Sequence, residues 1–311
     1  MAADILVTGA AGFAGGHLVD LLVRSGASVI GWHRPGGSPP RELAGARWDA
    51  VDLLDQAQVQ AAVERARPTA VYHCAGAAHV GLAWTSTTPT FATNVLGTHH
   101  LLQAIERWGG GPRVLVPSSA LVYAASSGAI TEQHALLPSS PYALSKLAQE
   151  MLALEARPAL AVLVPRPFNH TGPRQDPQFA APGFARQIAD IERGRSAPEI
   201  TVGNLDARRD LTDVRDTVRA YRMILERGQP GRPYNICSGH AMTIRELLDR
   251  LIARARVPVE VKVDPARYRP NDTPLLLGDP SRLRDELGWA PEISFEQTLD
   301  DLLEYWRSRT P

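Results

Sequence analysis

The stretch VTGAAGFAGGHL, residues 7–18, decides the fold of this chain. It overlaps the end of an apolar run, DILVT (residues 4–8), and it opens a helical pattern. Gly9, Gly12 and Gly15 form a G-x-x-G-x-x-G spacing between the two. Glycine permits a tight turn and lets backbone N–H groups approach a pyrophosphate at the N-terminus of the following helix. In this context the spacing predicts dinucleotide binding rather than an ordinary strand–helix turn.

Strand and helix patterns alternate through the first half of the chain. The apolar runs are rich in Val, Ile and Leu without strict alternation, which is typical of parallel strands buried on both faces. From about residue 170 the alternation loosens and Pro, Gly and Arg become more frequent. We predict an α/β fold, a Rossmann-type doubly wound parallel sheet with a smaller C-terminal substrate-binding lobe. Residues 1–170 would bind the cofactor and 171–311 mainly the substrate. The polypeptide is also allowed to cross back to the sheet around residues 200–240.

Bulk composition narrows the class of protein. Lys+Arg and Asp+Glu number 33 each, so no electrostatic case arises for nucleic acid or an anionic membrane. No apolar run approaches the length of a membrane span, and the first strand begins at residue 4, which leaves no room for a signal peptide. The two cysteines, Cys74 and Cys237, lie in apolar runs without the spacing of a metal site, as expected of reduced thiols in a cytoplasmic protein.

A tyrosine and a lysine four residues apart suggest proton chemistry. Tyr142 and Lys146 in PYALSK share one helical face, and a nearby ammonium would lower the pKa of the phenol. The alternative is an accidental spacing on an exposed helix. Against it, Lys146 and Lys262 are the only lysines in a chain that otherwise uses Arg. Such a pair beside a nicotinamide fits reduction of a ketone, in which the cofactor carries the hydride and tyrosine supplies the proton.

The end of the second strand bears on the choice of cofactor. NAD-binding chains place Asp or Glu there for the ribose hydroxyls, whereas this chain has His33 followed by Arg34. A guanidinium suits a phosphate, so NADP(H) is favoured. Alternatively, Arg34 is a solvated loop charge.

Several segments together resemble one enzyme family. The glycine spacing and the tyrosine–lysine pair resemble the short-chain dehydrogenase/reductase superfamily, and PRPFNHTGP (165–173) resembles its extended members that act on nucleotide sugars. PEITVGNLDARRDLTDVRD (198–216) and YRPNDTPLLLGDPSRLRDELGWAPEISFEQTL (268–299) are similar to GDP-mannose 4,6-dehydratases and the related GDP-4-keto-6-deoxymannose reductases. The resemblance covers nearly the whole chain.

The resemblance implies roles for individual residues. Ser119, first in the S-x-x-V-Y pattern, would be the catalytic hydroxyl with Tyr142 and Lys146, and Ser118 would support the strand end or the cofactor. Asp52 and Leu53 would contact adenine, although Asp52 could equally be a helix cap. The implied cofactor-binding residues are Gly9, Gly12, Phe13, Ala14, Gly15, His33, Arg34, Asp52, Leu53, Ala75, Gly76, Tyr142, Lys146, Pro167 and Phe168. The implied substrate-binding residues are Ser119, Asn169, Arg209, Arg269 and Asp272, and no metal is implied.

Positions at which this chain departs from the family's motifs distinguish between the possible reactions. Dehydratases of the family carry acidic groups directly after the catalytic Ser or Thr, where this chain has Ala120 and Leu121. Elimination is therefore disfavoured, and we predict NADPH-dependent reduction of the C4 ketone of a GDP-4-keto-6-deoxy-hexose. An NAD(P)-dependent 4-epimerase is the alternative, and a non-catalytic nucleotide sensor is a third hypothesis. Arg174, where the family has glycine, could alter sugar choice. Helical stretches 88–108 and 141–156 resemble those that pair in the superfamily's homodimers.

Overall fold

The computed structural model describes residues 4–38, 45–156, 160–267 and 273–309, and thirteen strands and eleven α-helices lie within these ranges. The strands are β1 Asp4–Thr8, β2 Ser28–His33, β3 Arg47–Ala50, β4 Ala70–His73, β5 Arg113–Leu115, β6 Ala161–Pro167, β7 Asn169–Thr171, β8 Glu199–Val202, β9 Arg208–Asp213, β10 Pro233–Ile236, β11 Ala241–Thr243, β12 Glu260–Val263 and β13 Leu275–Leu276. The helices are α1 Phe13–Arg24, α2 Gln56–Ala66, α3 Leu82–Thr85, α4 Thr87–Phe91, α5 Gly97–Trp108, α6 Pro141–Glu155, α7 Ala180–Glu192, α8 Val214–Arg227, α9 Ile244–Ile252, α10 Ser281–Leu287 and α11 Phe295–Ser308.

A seven-stranded sheet forms the centre of the molecule. Its order is β10-β6-β5-β4-β1-β2-β3, and every pairing in it is parallel. Two apolar layers cover it: Leu18 of α1 and Ile224 of α8 belong to one, and Val63 of α2 and Leu101 of α5 belong to the other. The predicted α/β fold with a doubly wound parallel sheet is confirmed.

The remaining strands and helices build a smaller lobe at the carboxyl edge of the sheet. In it β9 pairs with β7, β11 and β13, and β8 pairs with β12. Helices α7, α9 and α11 share an apolar core that includes Ile188, Leu248 and Leu302. Between these parts α8 packs on α1, and β10 joins the edge of the large sheet beside β6. Residues 214–236 thus lie against the large sheet.

The helix between residues 87 and 108 widens at its centre. A π-type turn, Ala92–Leu96, joins α4 to α5 and turns the buried Asn94 inward. Its amide donates to the Ser145 hydroxyl at 2.9 Å and its carbonyl accepts from the Ala77 backbone N–H at 2.7 Å. Widened turns of this kind frequently occur at functional sites. Here the turn ties α6, which carries Tyr142 and Lys146, to the loop after β4.

None of the helices in the described ranges is both long and apolar enough to cross a membrane.

Candidate active site

The glycine turn after β1 is packed too closely for side chains. Gly9 has φ +63°, and a Cβ there would lie 2.6 Å from the backbone of Ala75. A Cβ on Gly15 would lie 2.2 Å from the carbonyl oxygen of Gly9. The turn therefore presents bare backbone at the N-terminus of α1, the arrangement that receives a pyrophosphate.

A cleft of about 750 Å³ opens at the carboxyl ends of the parallel strands, over this turn. Ligands of open α/β sheets bind at this edge. Many of the predicted site residues line it: Gly9, Gly12, Phe13, Ala14, Gly15, Arg34, Gly76, Ser119, Tyr142, Pro167, Phe168 and Asn169. The fold thus brings together residues from the glycine turn, from the ends of β2 and β5, from α6 and from the segment after β6. The glycine cradle fits a dinucleotide.

Other predicted cofactor residues lie outside the lining of this cleft: His33, Asp52, Leu53, Ala75 and Lys146. The His33 Nδ1 lies 3.0 Å from the carbonyl oxygen of Arg34, and its ring is tilted against Trp48. The backbone N–H of Ala75 donates to Thr8 at 3.3 Å, behind the glycine turn.

Asp52 and Leu53 form a turn beside the second layer of helices. The carboxylate of Asp52 is exposed and accepts from the Leu54 backbone N–H at 2.9 Å. The helix-cap alternative for Asp52 is wrong, because Asp55 is the N-cap of α2. The Leu53 carbonyl accepts from His100 at 2.8 Å. Adenine contact by these residues stays a prediction.

The two hydroxyls predicted to be catalytic belong to Ser119, after the end of β5, and to Tyr142 on α6. Ser119 is the N-cap of a single 3-10 turn, Ala120–Val122, and its Oγ accepts from the Leu121 backbone N–H at 3.2 Å. The same hydroxyl lies near enough to the phenol of Tyr142 to influence its pKa. Burial raises the pKa of Tyr142 above its usual value, and the Ser119 hydroxyl opposes this rise. Ser119 and Tyr142 both line the cleft.

The hydrogen bonds of Lys146 go to two neutral groups. Its ammonium donates to the backbone carbonyl of Pro117 at 2.6 Å and to the side chain of Gln149. The expectation that the pKa of Tyr142 lies below its usual value is wrong for this structure, because desolvation of the phenol dominates. Burial also lowers the pKa of Lys146 itself to about 8, while the neighbouring Cys74 and Glu150 side chains oppose the shift.

Ser118 and the residues after Ser119 also line the cleft. Ser118 is buried, and its Oγ has no hydrogen-bond partner among the described residues. A buried hydroxyl without a partner is unusual in a folded protein and fits a place beside a bound group. Ala120 and Leu121 face the same cleft, so no titratable side chain occupies the two positions that follow Ser119.

A second cavity of about 320 Å³ lies in the smaller lobe. Asn169 lines both cavities and connects them. Arg209 lines only the second, where its guanidinium donates to the carbonyl of Thr273 at 2.7 Å. Arg269 and Asp272 lie outside the described residues.

Segment 170–174 docks the smaller lobe on α1. His170 stacks on Phe13 with ring centroids 5.8 Å apart, and His17 bonds the carbonyl of Pro173 at 2.9 Å. Arg174, at φ +73°, reaches Asp20 at 2.7 Å. The guanidinium thus bonds the cofactor-binding helix, and an effect of Arg174 on sugar choice stays a prediction.

Sequence reasoning missed part of the cleft wall. Phe179, stacked on His79 at 4.9 Å, lines the cleft, as do Tyr305 and Trp306 of α11. Phe179 stands directly before α7, and this position at a helix start was the sequence signal that could have identified it. The α11 residues carried none, because that helix reads as an ordinary amphipathic one and only the packing of the lobe brings it to the cleft.

Two acidic residues without an assigned role are structural. Asp213 caps α8 through the Arg215 backbone N–H at 2.7 Å. Asp216 accepts from the backbone N–H groups of Glu292 and Ile293. Both are buried, as expected of carboxylates that fix the chain. Across the described ranges no cluster of His, Cys, Asp or Glu is placed to hold a metal ion.

Comparison with known proteins adds independent evidence. Residues 6–302 match the family described as GDP-mannose 4,6 dehydratase. A GDP-6-deoxy-D-mannose reductase of Pseudomonas aeruginosa is 37% identical over 314 residues, which cover 99% of each chain. A solved structure of RMD from Pseudomonas aeruginosa, complexed with NADPH, superposes with a TM-score of 0.87 and 35% identity, covering 99% of this chain and 100% of that one.

An epimerase shares the architecture at lower identity. The UDP-glucose 4-epimerase of Thermus thermophilus, in complex with NAD, has a TM-score of 0.88 and 28% identity, covering 99% of this chain and 100% of that one. The fold therefore does not by itself separate reduction from epimerisation. The match over residues 6–302 and the 37% identical relative settle the family. The chain belongs to the GDP-mannose 4,6-dehydratase family of extended short-chain dehydrogenases/reductases.

Proposed function

We propose that this protein reduces the C4 ketone of a GDP-4-keto-6-deoxy-hexose, converting GDP-4-dehydro-6-deoxy-D-mannose to GDP-D-rhamnose or its C4 epimer. The protein is an oxidoreductase and its cofactor is NADP(H). The observation that carries the proposal is the presence of both Ser119 and Tyr142 in the lining of the cleft, with Ala120 and Leu121 directly after Ser119. This arrangement keeps a proton donor and lacks the groups for elimination.

The cofactor proposal rests on the glycine cradle and on Arg34. The bare turn from Gly9 to Gly15 would receive the pyrophosphate, and Arg34, exposed and lining the cleft, would bind the 2′-phosphate. The NADPH complex of the 35% identical structure supports this choice. Pro167 and Phe168 would lie beside the nicotinamide.

In the reaction, Tyr142 gives its phenolic proton to the carbonyl oxygen of the sugar while Ser119 hydrogen-bonds the same oxygen. The hydride to the carbonyl carbon is the chemistry that a bound NADPH supplies. The Ser119 hydroxyl stabilises the charge that develops on the oxygen, as an oxyanion donor does. The Lys146 ammonium favours the phenolate that remains, and solvent returns the proton.

The protonation state of Tyr142 suits a proton donor. Burial raises the pKa of Tyr142 and the Lys146 ammonium is bonded to Pro117 and Gln149, so the phenol stays protonated at neutral pH. A protonated phenol is the form that a reductase needs.

The nucleotide sugar would extend from the cleft into the second cavity. Asn169 would lie near the sugar at the junction, and Arg209 would bind the diphosphate in the smaller lobe. Arg269 and Asp272 are proposed for the diphosphate and the ribose on the family pattern alone. Residues 1–170 would thus hold the cofactor and 171–311 mainly the substrate, with 214–236 returning to the sheet.

We propose a cytoplasmic homodimer. Both cysteines are free in the structure. A groove between the 87–108 helix and α6 is lined by apolar side chains that include Leu96, which is 45% exposed, and Met151 of α6 is 60% exposed. In a symmetric dimer the same groove on each of the two copies would be covered by the other copy. Light scattering should give the dimer mass for the native protein and the monomer mass for Met151→Glu with Leu96→Glu, and a native monomer would contradict this.

Product analysis tests the direction of the reaction. Purified protein incubated with NADPH and GDP-4-keto-6-deoxymannose should yield a GDP-6-deoxyhexose, with its C4 configuration read by NMR. Interconversion of two GDP-hexoses without added NADPH would instead identify an epimerase. A protein that binds NADPH and never oxidises it with any keto-sugar would be a sensor.

A further inference from the structure

Lys146 is a buried ammonium with two neutral acceptors. It lies on α6 and is 7% exposed. It donates to the carbonyl of Pro117 at 2.6 Å and to Oε1 of Gln149, three residues further along the same helix. The carboxylate one turn away, Glu150, is committed to Arg166. Among the described side chains, Gln149 is the one that accepts a hydrogen bond from this ammonium.

Gln149 is the end of a buried polar chain formed by Thr8, His73, Thr98 and Gln149. The Gln149 amide nitrogen donates to Thr98 Oγ1 at 2.7 Å, and Thr98 Oγ1 lies 2.8 Å from His73 Nε2. The other ring nitrogen of His73 lies 2.7 Å from Thr8 Oγ1. All four side chains are at most 1% exposed. Solvent therefore cannot substitute for any member of the chain.

The direction of each bond follows from the donors available. The single proton of the Thr98 hydroxyl goes to the Asn94 carbonyl at 2.7 Å. Thr98 can then only accept from Gln149 and from His73. The Gln149 amide must turn its nitrogen to Thr98 and its oxygen to the lysine. A flipped amide would set N–H against the ammonium and leave a carbonyl facing an oxygen without a proton.

We propose that Gln149 is a positioning residue for Lys146, and that the buried polar chain fixes its carbonyl toward the ammonium and so sets where the lysine stands and how firmly it keeps its proton. The proposal rests on the proposed reductase function only through the role of Lys146 in the reduction. The amide acts through Lys146 and contacts neither substrate nor cofactor.

The other titratable groups around Lys146 are held neutral or paired. Burial raises the pKa of the Cys74 thiol to about 12, and burial with the nearby ammonium lowers the pKa of His73 to about 3. Tyr142 stays protonated, and Glu150 pairs with Arg166. A charge placed at position 149 would therefore act on Lys146 without competition from a free carboxylate among these groups.

The lysine content of the chain makes a direct test possible. Only Lys146 and Lys262 are present, so protein labelled with ¹³C at the lysine ε-carbon gives two signals. Lys262, 61% exposed and paired with Glu199, serves as the internal reference. The Lys146 signal should titrate near pH 8 in the native protein. In Gln149→Glu the midpoint should rise by about 1–3 pH units, because an opposite charge lies in contact with the ammonium.

Two further variants weaken the buried polar chain and should move the Lys146 midpoint in the opposite direction. Gln149→Met removes the acceptor and Thr98→Val frees the amide to turn, so both should lower the midpoint of Lys146. Gln56→Glu, an exposed change on α2, should leave it in place. A Lys146 midpoint that stays at the native value in Gln149→Glu, Gln149→Met and Thr98→Val would overturn the proposal.

The test stands apart from the reductase assay. It needs neither substrate nor cofactor, so absence of keto-sugar reduction leaves its outcome intact, and an unmoved lysine leaves the reductase proposal standing. In the active enzyme, the alkaline limb of the kcat–pH profile should move upward in Gln149→Glu with the Lys146 midpoint. A merely structural role would lower kcat at every pH without moving that limb, which would also overturn the proposal.

Discussion

The ammonium of Lys146 lies 2.6 Å from the carbonyl oxygen of Pro117, two residues before Ser119. This bond ties α6 to the end of β5 and holds the helix that carries Tyr142 against the strand end that carries Ser119. We propose two tasks for this lysine. It would fix the spacing of Ser119 and Tyr142, and its charge would favour the phenolate left after proton transfer.

The charge of Lys146 predicts a pH limit for the reduction. Burial lowers the pKa of this lysine to about 8, so its ammonium is lost as pH rises through that value. We expect kcat to fall above about pH 8 and to level off on the acidic side. The check is a kcat–pH profile at saturating NADPH, and a flat profile from pH 7 to about 9.5 would contradict the role of the charge.

Removal of the same lysine should flatten the pH dependence of stability. The unfolded lysine titrates near 10.5 and the folded one near 8, so between these values the unfolded state binds more protons and the free energy of unfolding rises with pH. Lys146→Met removes this titration, so its free energy of unfolding should lack that rise, while reduction is lost. Urea unfolding of both proteins at pH 7 and at about pH 9.5 measures the difference, and an equal rise in the two proteins would contradict the titration of a buried lysine.

Arg34 should decide between the two nicotinamide cofactors. Arg34→Ala removes the guanidinium proposed for the 2′-phosphate, so the KM for NADPH should rise roughly 10- to 100-fold, as expected for loss of a hydrogen bond to a charged group. The KM for NADH should change little. Arg65→Ala, an exposed arginine on α2, is the matched control. A native enzyme that prefers NADH would show that Arg34 and His33 have been misinterpreted.

Removing only one partner of the ion pair between Glu150 and Arg166 should strongly destabilise the fold. Both side chains are at most 5% exposed, and Arg166 Nε lies 3.1 Å from Glu150 Oε2. Glu150→Leu leaves a buried guanidinium without its carboxylate and should lower the free energy of unfolding by about 3–5 kcal/mol. The double variant with Arg166→Met should recover much of this loss. Urea unfolding of both variants measures the difference, and equal stabilities would contradict the pairing.

Glycine at position 174 should give a more stable fold than alanine. Arg174 holds a left-handed conformation, φ +73°, and its guanidinium bonds Asp20 at 2.7 Å. Both substitutions lose the ion pair, but only alanine keeps the strained backbone. Arg174→Gly should therefore exceed Arg174→Ala in free energy of unfolding by about 1 kcal/mol. Thermal unfolding of the two proteins distinguishes them, with Asp20→Asn as the control that keeps Arg174 and removes its ion pair, together with the weaker pair of Asp20 with Arg24 at 3.9 Å.

Much of the fold was predictable because its signals are local. The strand over Asp4–Thr8 and the helix from Pro141 follow from an apolar run ended by glycine and from a serine–proline helix start. What failed depends on residues far apart in the chain. His73, Thr98 and Gln149 come together only when β4, α5 and α6 pack, so the sequence could not show which groups Lys146 would bond. The raised pKa of Tyr142 likewise follows from burial in the assembled cleft.

The most direct measurement follows NADPH absorbance in a single cuvette with purified protein and GDP-4-keto-6-deoxymannose. Native protein should oxidise NADPH in proportion to the keto-sugar added. Tyr142→Phe, which lacks the proton donor, should be slower by about 10²- to 10⁴-fold with its affinity for NADPH retained. Oxidation by the native protein no faster than by Tyr142→Phe would contradict the assignment of this protein as a GDP-4-keto-6-deoxy-hexose reductase.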